Sequence, residues 1–240
     1  MKKNVKLLLR FGFLCLYFCL SVSFIYAENL NVYNGEKFIY EVTNSEDEVF
    51  NTTTTYFVKQ ENGEKLYSYT NKDKYETWNV TTDVQGVPKN ITYQAYGNTL
   101  TLDFEGTGDV TMQGYYGGEQ IDKTGNFAAN VSLENALILR TMDLDKGNKY
   151  VFDLLQTDKF PELKAYKMYF KVLGTETVQV EAGEFECKKV LFSLTGFRGL
   201  FYKAYYYVTD DENKYLVKME NMPKGGSSEL ISVQTESETQ

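Results

Sequence analysis

The sequence predicts a mostly β protein: a single antiparallel sheet, curved into an open or half barrel and wrapped around one central α-helix. Aromatic residues make up 15% of the chain, with 20 Tyr and 16 Phe beside many Thr and Val, and such side chains suit a pleated, half-buried surface. Alternation with a period of two places Tyr166, Met168, Phe170 and Val172 on one face and Ala165, Lys167, Tyr169 and Lys171 on the other. That is the pattern of a strand covering a core. Turn sequences, among them Asn62-Gly63, Gly97-Asn98, Gly117-Gly118, Gly147-Asn148 and Ala182-Gly183, recur at hairpin spacing. Together these features predict a meander of about a dozen strands.

Residues 1–27 stand outside that sheet. Lys2, Lys3, Lys6 and Arg10 accompany an uncharged apolar run from Phe11 to Tyr26, and Ala27 closes it, the layout of a secretory signal peptide. The expected mature protein begins at Glu28, with one β-rich domain over 28–235 and a disordered polar tail at 236–240. A membrane anchor is the competing reading of the apolar run; after signal cleavage no span is expected. Cys15 follows Leu14 and Cys19 follows Phe18, so neither has the small preceding residue that lipid attachment needs. The expected location is exported, in the periplasm or outside the cell.

Within the mature chain the alternating windows come in order. Phe38, Tyr40 and Val42 form the first, followed by Tyr56 with Val58, Trp78 with Val80, and Leu100 with Leu102 and Phe104. After the Tyr166–Val172 window, Tyr215, Val217 and Met219 form the last. Residues 132–143 break the pattern. They contain no Gly or Pro, Ser132 sits at a plausible N-cap and Glu134 falls in the first turn, which predicts a helix over 132–142. Leu133, Ala136 and Leu137 share one face, and Ile138, Leu139 and Met142 carry apolar surface around most of the circumference. A helix of that kind is buried, and it is expected across the concave face of the sheet.

Composition closes several routes to function. The chain holds no histidine, which removes Ser-His-Asp and Cys-His catalysis and His-ligated metals. Without the leader, Cys187 is the only thiol, so no intramolecular disulfide or thiolate cluster forms, and it reads as a small core residue. The acidic runs at 45–48 and 209–213 read as polar turns rather than calcium loops. No metal or cofactor is expected. Once the four leader cations are gone, 21 Lys and Arg stand against 33 Asp and Glu, a balance of −12. Such a field favours solubility and repels nucleic acid and anionic membrane surfaces. The expected state is a monomer that binds no nucleic acid.

The stretch Val178-Gln-Val-Glu-Ala-Gly-Glu-Phe-Glu-Cys-Lys-Lys-Val190, a strand ending Tyr205-Tyr-Tyr-Val-Thr-Asp210, and Tyr215-Leu-Val-Lys-Met219 follow one another. This succession resembles a widespread family of exported bacterial β proteins catalogued as a domain of unknown function. The early strand Phe38-Ile-Tyr-Glu-Val42, a helix like Leu133 to Arg140, the V-x-A-G-x-F turn and the closing pair Glu229-Leu230 occur in the family's order across most of residues 36–233. Residues 79–125 match nothing in that pattern. The resemblance implies a strongly curved antiparallel sheet around a helix, similar to periplasmic carriers of lipoproteins and other acyl-chain ligands. It implies no reaction.

An apolar sheet face and an apolar helix form either a filled core or, where side chains stop short, a cavity. Sequence leaves both open. For a cavity, the candidate ligand-binding residues are Leu137, Arg140, Tyr166, Met168 and Phe170, with Arg140 either a carboxylate or phosphate clamp at the mouth or a helix cap. The aromatic run from Phe201 to Tyr207 puts rings on both faces of one strand, as cross-strand pairs or as an outward surface for sugars or a partner. The expected function is a non-enzymatic envelope protein that binds a lipid, an acyl chain or another apolar ligand, or an envelope partner. The alternative is a carboxylate-dependent glycan hydrolase, with Trp78 and tyrosines stacking sugars. No catalytic residue is assigned. Two carboxylates lining one cleft would favour the hydrolase, and an apolar cleft the carrier.

Overall fold

The computed structural model describes residues 32–235 apart from 107, 128–130, 133–135 and 222–224. The expected signal peptide and the 236–240 tail lie outside the described residues. Eight strands make the first meander: β1 (Lys37–Thr43), β2 (Val49–Glu61), β3 (Glu64–Lys72), β4 (Glu76–Asp83), β5 (Pro88–Ala95), β6 (Asn98–Phe104), β7 (Asp109–Tyr116) and β8 (Glu119–Asn126). Seven follow: β9 (Val131–Ser132), β10 (Lys149–Leu155), β11 (Ala165–Val180), β12 (Gly183–Leu194), β13 (Lys203–Thr209), β14 (Leu216–Asn221) and β15 (Ser227–Gln234). The alternating windows of the sequence fall in β1, β2, β4, β6, β11 and β14, with Tyr215 one residue ahead of β14.

All fifteen strands join one open sheet, with β8 and β9 at its edges. Neighbours in sequence pair antiparallel along each meander. The two meanders are then welded by β1 and β15, which pair antiparallel with Tyr40 opposite Leu230. The first and last strands therefore lie at the middle of the sheet. One short pairing departs from the antiparallel expectation, since β9 runs parallel to β10 with Val131 opposite Asp153.

Curvature follows from contacts between strands that are distant in this order. Ten strand spacings separate β5 from β10, and a flat sheet would hold them about 48 Å apart at ~4.8 Å per strand. Yet Phe160, which follows β10, lies 6.2 Å from the ring centroids of both Trp78 in β4 and Tyr93 in β5. The sheet folds back on itself without closing. Its inner face carries Tyr40, Tyr56, Tyr69, Val80 and Ile91 from the first meander in one apolar cluster. Phe152, Met168, Phe170, Phe192 and Tyr206 from the second form another.

The expectation of a central helix over 132–142 is corrected. The one α-helix among the described residues is α1 (Ala136–Arg140), five residues long, and Ser132 belongs to β9 instead of capping a helix. Tighter bonds end the helix early. The Thr141 and Met142 amides reach only to the carbonyls of Ile138 and Leu139, and the Thr141 hydroxyl takes the Ile138 carbonyl at 2.8 Å. Apolar surface continues past the helix: Ile138, Leu139, Met142 and Leu144 are all buried against β10–β13. The segment packs against the inner face of β10–β13 as a short turn-rich stretch instead of a long central helix. Thr141 packs on Gly86 of the β4–β5 turn, and Lys214 of the β13–β14 turn donates to the Met142 carbonyl at 2.6 Å.

The long β11–β12 hairpin changes face partway. A bulge between Val172 and Gly174 shifts its register, so Val172 packs with Phe170 and Phe192 while Val178 and Val180 join the larger cluster with Cys187. At the hairpin tip the Ala182 amide donates to the Leu230 carbonyl at 3.2 Å. The V-x-A-G-x-F turn and the closing Glu229-Leu230 pair of the family pattern are thus in direct contact. Cys187 is fully buried, and burial, reinforced by Asp211, Glu176 and Asp210, pushes its thiol up to about 12.

Gly114 in β7 tests the tightness of the first meander. Its φ is +141°, and a Cβ there would sit 2.1 Å from the Thr99 carbonyl oxygen of β6. Gly114→Ala is expected to lower stability by about 2–4 kcal/mol through strain that the neighbouring backbone cannot relieve. Urea denaturation checks this; a midpoint equal to wild type would contradict it.

Candidate functional site

The folded-back sheet leaves a cleft of about 570 Å³ between its halves. Four tyrosines make one part of its lining, its floor. Tyr40 from β1, Tyr56 from β2 and Tyr69 from β3 project inward because each sits on the buried face of its strand, and Tyr206 of β13 faces them from the second meander. Burial raises the pKa of Tyr40 and Tyr69 well above the usual phenol range and that of Tyr56 to about 12. These hydroxyls stay protonated at any physiological pH. Tyr40 donates to the Leu216 carbonyl at 3.2 Å, whereas the buried Tyr206 hydroxyl has no hydrogen-bond partner among the described residues.

Beneath that floor lies a buried ion pair. Arg140, the last residue of α1, donates through Nη1 to Glu36 Oε2 at 2.8 Å, with side chains 3% and 0% exposed. The guanidinium carbon lies 5.3 Å from the ring centroids of both Tyr56 and Tyr215, which sandwich it. Burial, then a hydrogen bond to Glu36, raises the Tyr215 pKa. Backbone geometry explains how Glu36 gets there: its carbonyl accepts from the Tyr56 amide at 2.8 Å and the Gly35 amide donates to the Tyr56 carbonyl at 2.9 Å. The turn before β1 is thereby zipped onto β2, and the carboxylate points under the sheet toward the end of α1.

The walls are aliphatic and aromatic, including Val42, Val80, Trp78, Leu154, Met168, Leu194 and Met219. Thr52, Thr54, Asn71, Gln156 and Ser228 supply uncharged polar groups. Among the described residues Glu76 is the only carboxylate in the lining. Burial holds its pKa above the usual carboxylate range, opposed by hydrogen bonds from Trp78 and Tyr93, while Asp73 adds to the rise. Among the described residues no cluster of three His, Cys, Asp or Glu could hold a metal ion.

Of the five residues singled out from sequence, Tyr166 and Met168 line the cleft. Phe170 does not: it is 1% exposed and stacked between Phe152 and Phe192, at centroid distances of 5.1 and 4.9 Å. Arg140 is likewise absent from the mouth, because its guanidinium is taken up by Glu36 and two rings below the floor. The Leu137 side chain lies outside the described residues. Sequence reasoning missed Glu36, Tyr56, Tyr69 and Glu76, which the first meander contributes. The aromatic run at 201–207 divides by face: Tyr206 points into the cleft, while Lys189 spans the rings of Tyr205 and Tyr207 at 4.9 and 5.0 Å.

A family model described as a protein of unknown function, DUF3108, matches residues 25–230. The chain belongs to that family. The match takes in nearly all of the span over which the sequence pattern resembled a family of unknown function. Among solved structures, a β-barrel-like protein of the DUF1849 group from Brucella abortus is similar, with a TM-score of 0.52 at 7% identity over 85% of this chain and 99% of its own. A Bacteroides fragilis protein with a YmcC-like fold, provisionally described as exported, matches at 14% identity and a TM-score of 0.36 over 86% and 98% of the two chains. A Parabacteroides distasonis protein provisionally described as a lipoprotein matches at 13% identity and a TM-score of 0.33 over 84% and 95%. The Brucella likeness shows a shared barrel-like fold alone. No curated protein matches the chain.

The ion pair gives this part of the molecule a measurable signature. Arg140→Met strands a buried carboxylate and is expected to cost about 3–5 kcal/mol. Adding Glu36→Gln in the same chain should recover more than half of that loss, since the uncompensated charge is gone. Chemical denaturation of both single variants and the double variant checks it; additive losses would contradict the pairing.

Proposed function

We propose that this DUF3108 protein is an exported, non-enzymatic binder of an apolar ligand, with an acyl chain as the occupant of the cleft. The observation that carries the reading is the cleft itself. It is lined largely by aliphatic and aromatic side chains, includes tyrosines that burial keeps protonated, and is of a size common for small-molecule sites, roughly 300–1,000 Å³. A signal-like leader supports export. An acyl chain burying about ten methylenes gains roughly 8 kcal/mol at about 0.8 kcal/mol each. Costs of association and chain ordering reduce that figure. The expected affinity is micromolar.

Polar features of the cleft fit a ligand with one polar end. Thr52, Thr54, Asn71 and Ser228 offer uncharged hydrogen-bonding groups in the lining, and Glu76, shifted toward its neutral form, softens its negative charge. The hydrolase reading fits less well, because two-carboxylate glycoside chemistry needs a second acid facing the first and Glu76 has no such partner in the lining among the described residues.

Displacement of a fluorescent fatty acid tests the proposal. The wild-type protein is expected to show saturable binding with a micromolar Kd. Met168→Trp, which adds volume on the wall, should weaken it at least about tenfold while leaving the β-rich circular dichroism unchanged. No saturable binding by a folded wild-type protein, or equal binding by the variant, would overturn the assignment of the cleft.

A further inference from the structure

We infer that the loop joining β12 to β13 docks this protein onto a lipid bilayer bearing anionic headgroups. The loop, a 3₁₀ turn over Gly196–Leu200, carries Phe197 at 73% exposure and Leu200 and Phe201 at 67% each. Among the described residues, the other exposed large apolar side chains stand at six separate positions. Three within five residues form a patch of the kind that marks an interaction surface.

The exposure is built into the turn. The buried Ser193 hydroxyl lies 2.7 Å from the Tyr202 carbonyl and 3.2 Å from that of Gly199, clasping both ends of the loop. The Phe201 amide donates to the Arg198 carbonyl at 3.0 Å. A Cβ at Gly199 would stand 2.4 Å from the Leu194 carbonyl oxygen, so the backbone is pressed onto the end of β12. Phe197 and Phe201 meet edge to face, with centroids 5.3 Å apart. The apolar side chains thus sit outward on a fixed base.

Charge selects the partner. In a chain with 33 acidic residues, positions 187–209 contain no Asp or Glu, and Arg198 and Lys203 flank the exposed rings. Apolar tips beside cations match the interface of an anionic bilayer, locally reversing the repulsion implied by the net charge. Position gives the loop a purpose, which rests on the acyl-chain reading of the cleft. Tyr166 and Leu194 line both the cleft and an adjoining hollow bounded by Phe197 and Arg198, so a bilayer seated on the loop would lie beside residues that line the cleft.

Sedimentation with vesicles of phosphatidylglycerol and phosphatidylethanolamine, with phosphatidylcholine vesicles as control, tests the inference. The wild-type mature protein is expected to bind the anionic vesicles, with an affinity that falls as salt rises. The double variant Phe197→Ser/Phe201→Ser should bind at least about tenfold more weakly while still displacing a fluorescent fatty acid in solution. Equal vesicle binding by the two proteins would overturn the inference. So would a wild-type dimer in size-exclusion chromatography that the double variant abolishes, since the patch would then serve a second copy of the chain. Vesicle binding lost in the variant, with neither protein displacing fatty acid, would uphold the docking surface and sink the acyl-chain reading.

Discussion

The buried contact between Glu36 and Arg140 is the constraint from which the rest of the half-barrel can be read. A guanidinium placed below the floor of an apolar cleft is tolerated only if its charge is met, and Glu36, Tyr56 and Tyr215 meet it from three strand regions of the sheet. In doing so they tie the end of α1 to β1, β2 and the approach to β14. The segment at 138–144 is thereby fixed against the sheet, and Gly86 and Lys214 contact it as well.

A second constraint comes from strand order. Because β1 pairs with β15, chain segments far apart in sequence lie side by side at the centre of the sheet, and each meander is free to curl inward from that seam. Curling brings Phe160 against Trp78 and Tyr93, while β8 and β9 remain unjoined edges. The resulting cleft draws one wall from each meander, so neither half would make the site by itself. The contact of the β11–β12 tip with Leu230 reinforces the seam at the point where the pairing of β14 with β15, which ends at Lys218 and Glu229, gives out.

Much of this fold was legible in the sequence, for a physical reason. Strands that cover a core on one side write their orientation as a period of two, and Tyr166, Met168 and the windows in β1 and β14 carry that pattern plainly. The helix was misjudged because apolar composition signals burial but does not fix its length; bonds at Thr141 and Met142 that reach back only three residues decide it. Phe170 shares the face of Met168 yet lies closer to the centre of the packed layer, and alternation cannot say how far along a strand the core stops and a cavity begins. Arg140 was recognised as unusual, but its partner lies 104 residues away, and no local pattern links the two. Glu76 and the tyrosine floor were missed for a similar reason, since only curvature makes β2, β3 and β4 face β11 and β13.

The central claim is that the space between the two meanders exists to hold an apolar chain. Native mass spectrometry of the protein, isolated without detergent from the cells that make it, bears on this most directly. The account expects a population carrying one lipid-sized adduct per polypeptide, released by collisional activation and missing when Met168 is replaced by Trp. A bare polypeptide mass under the gentlest conditions, together with a cleft that takes up no lipid from extracts of the same cells, would contradict it.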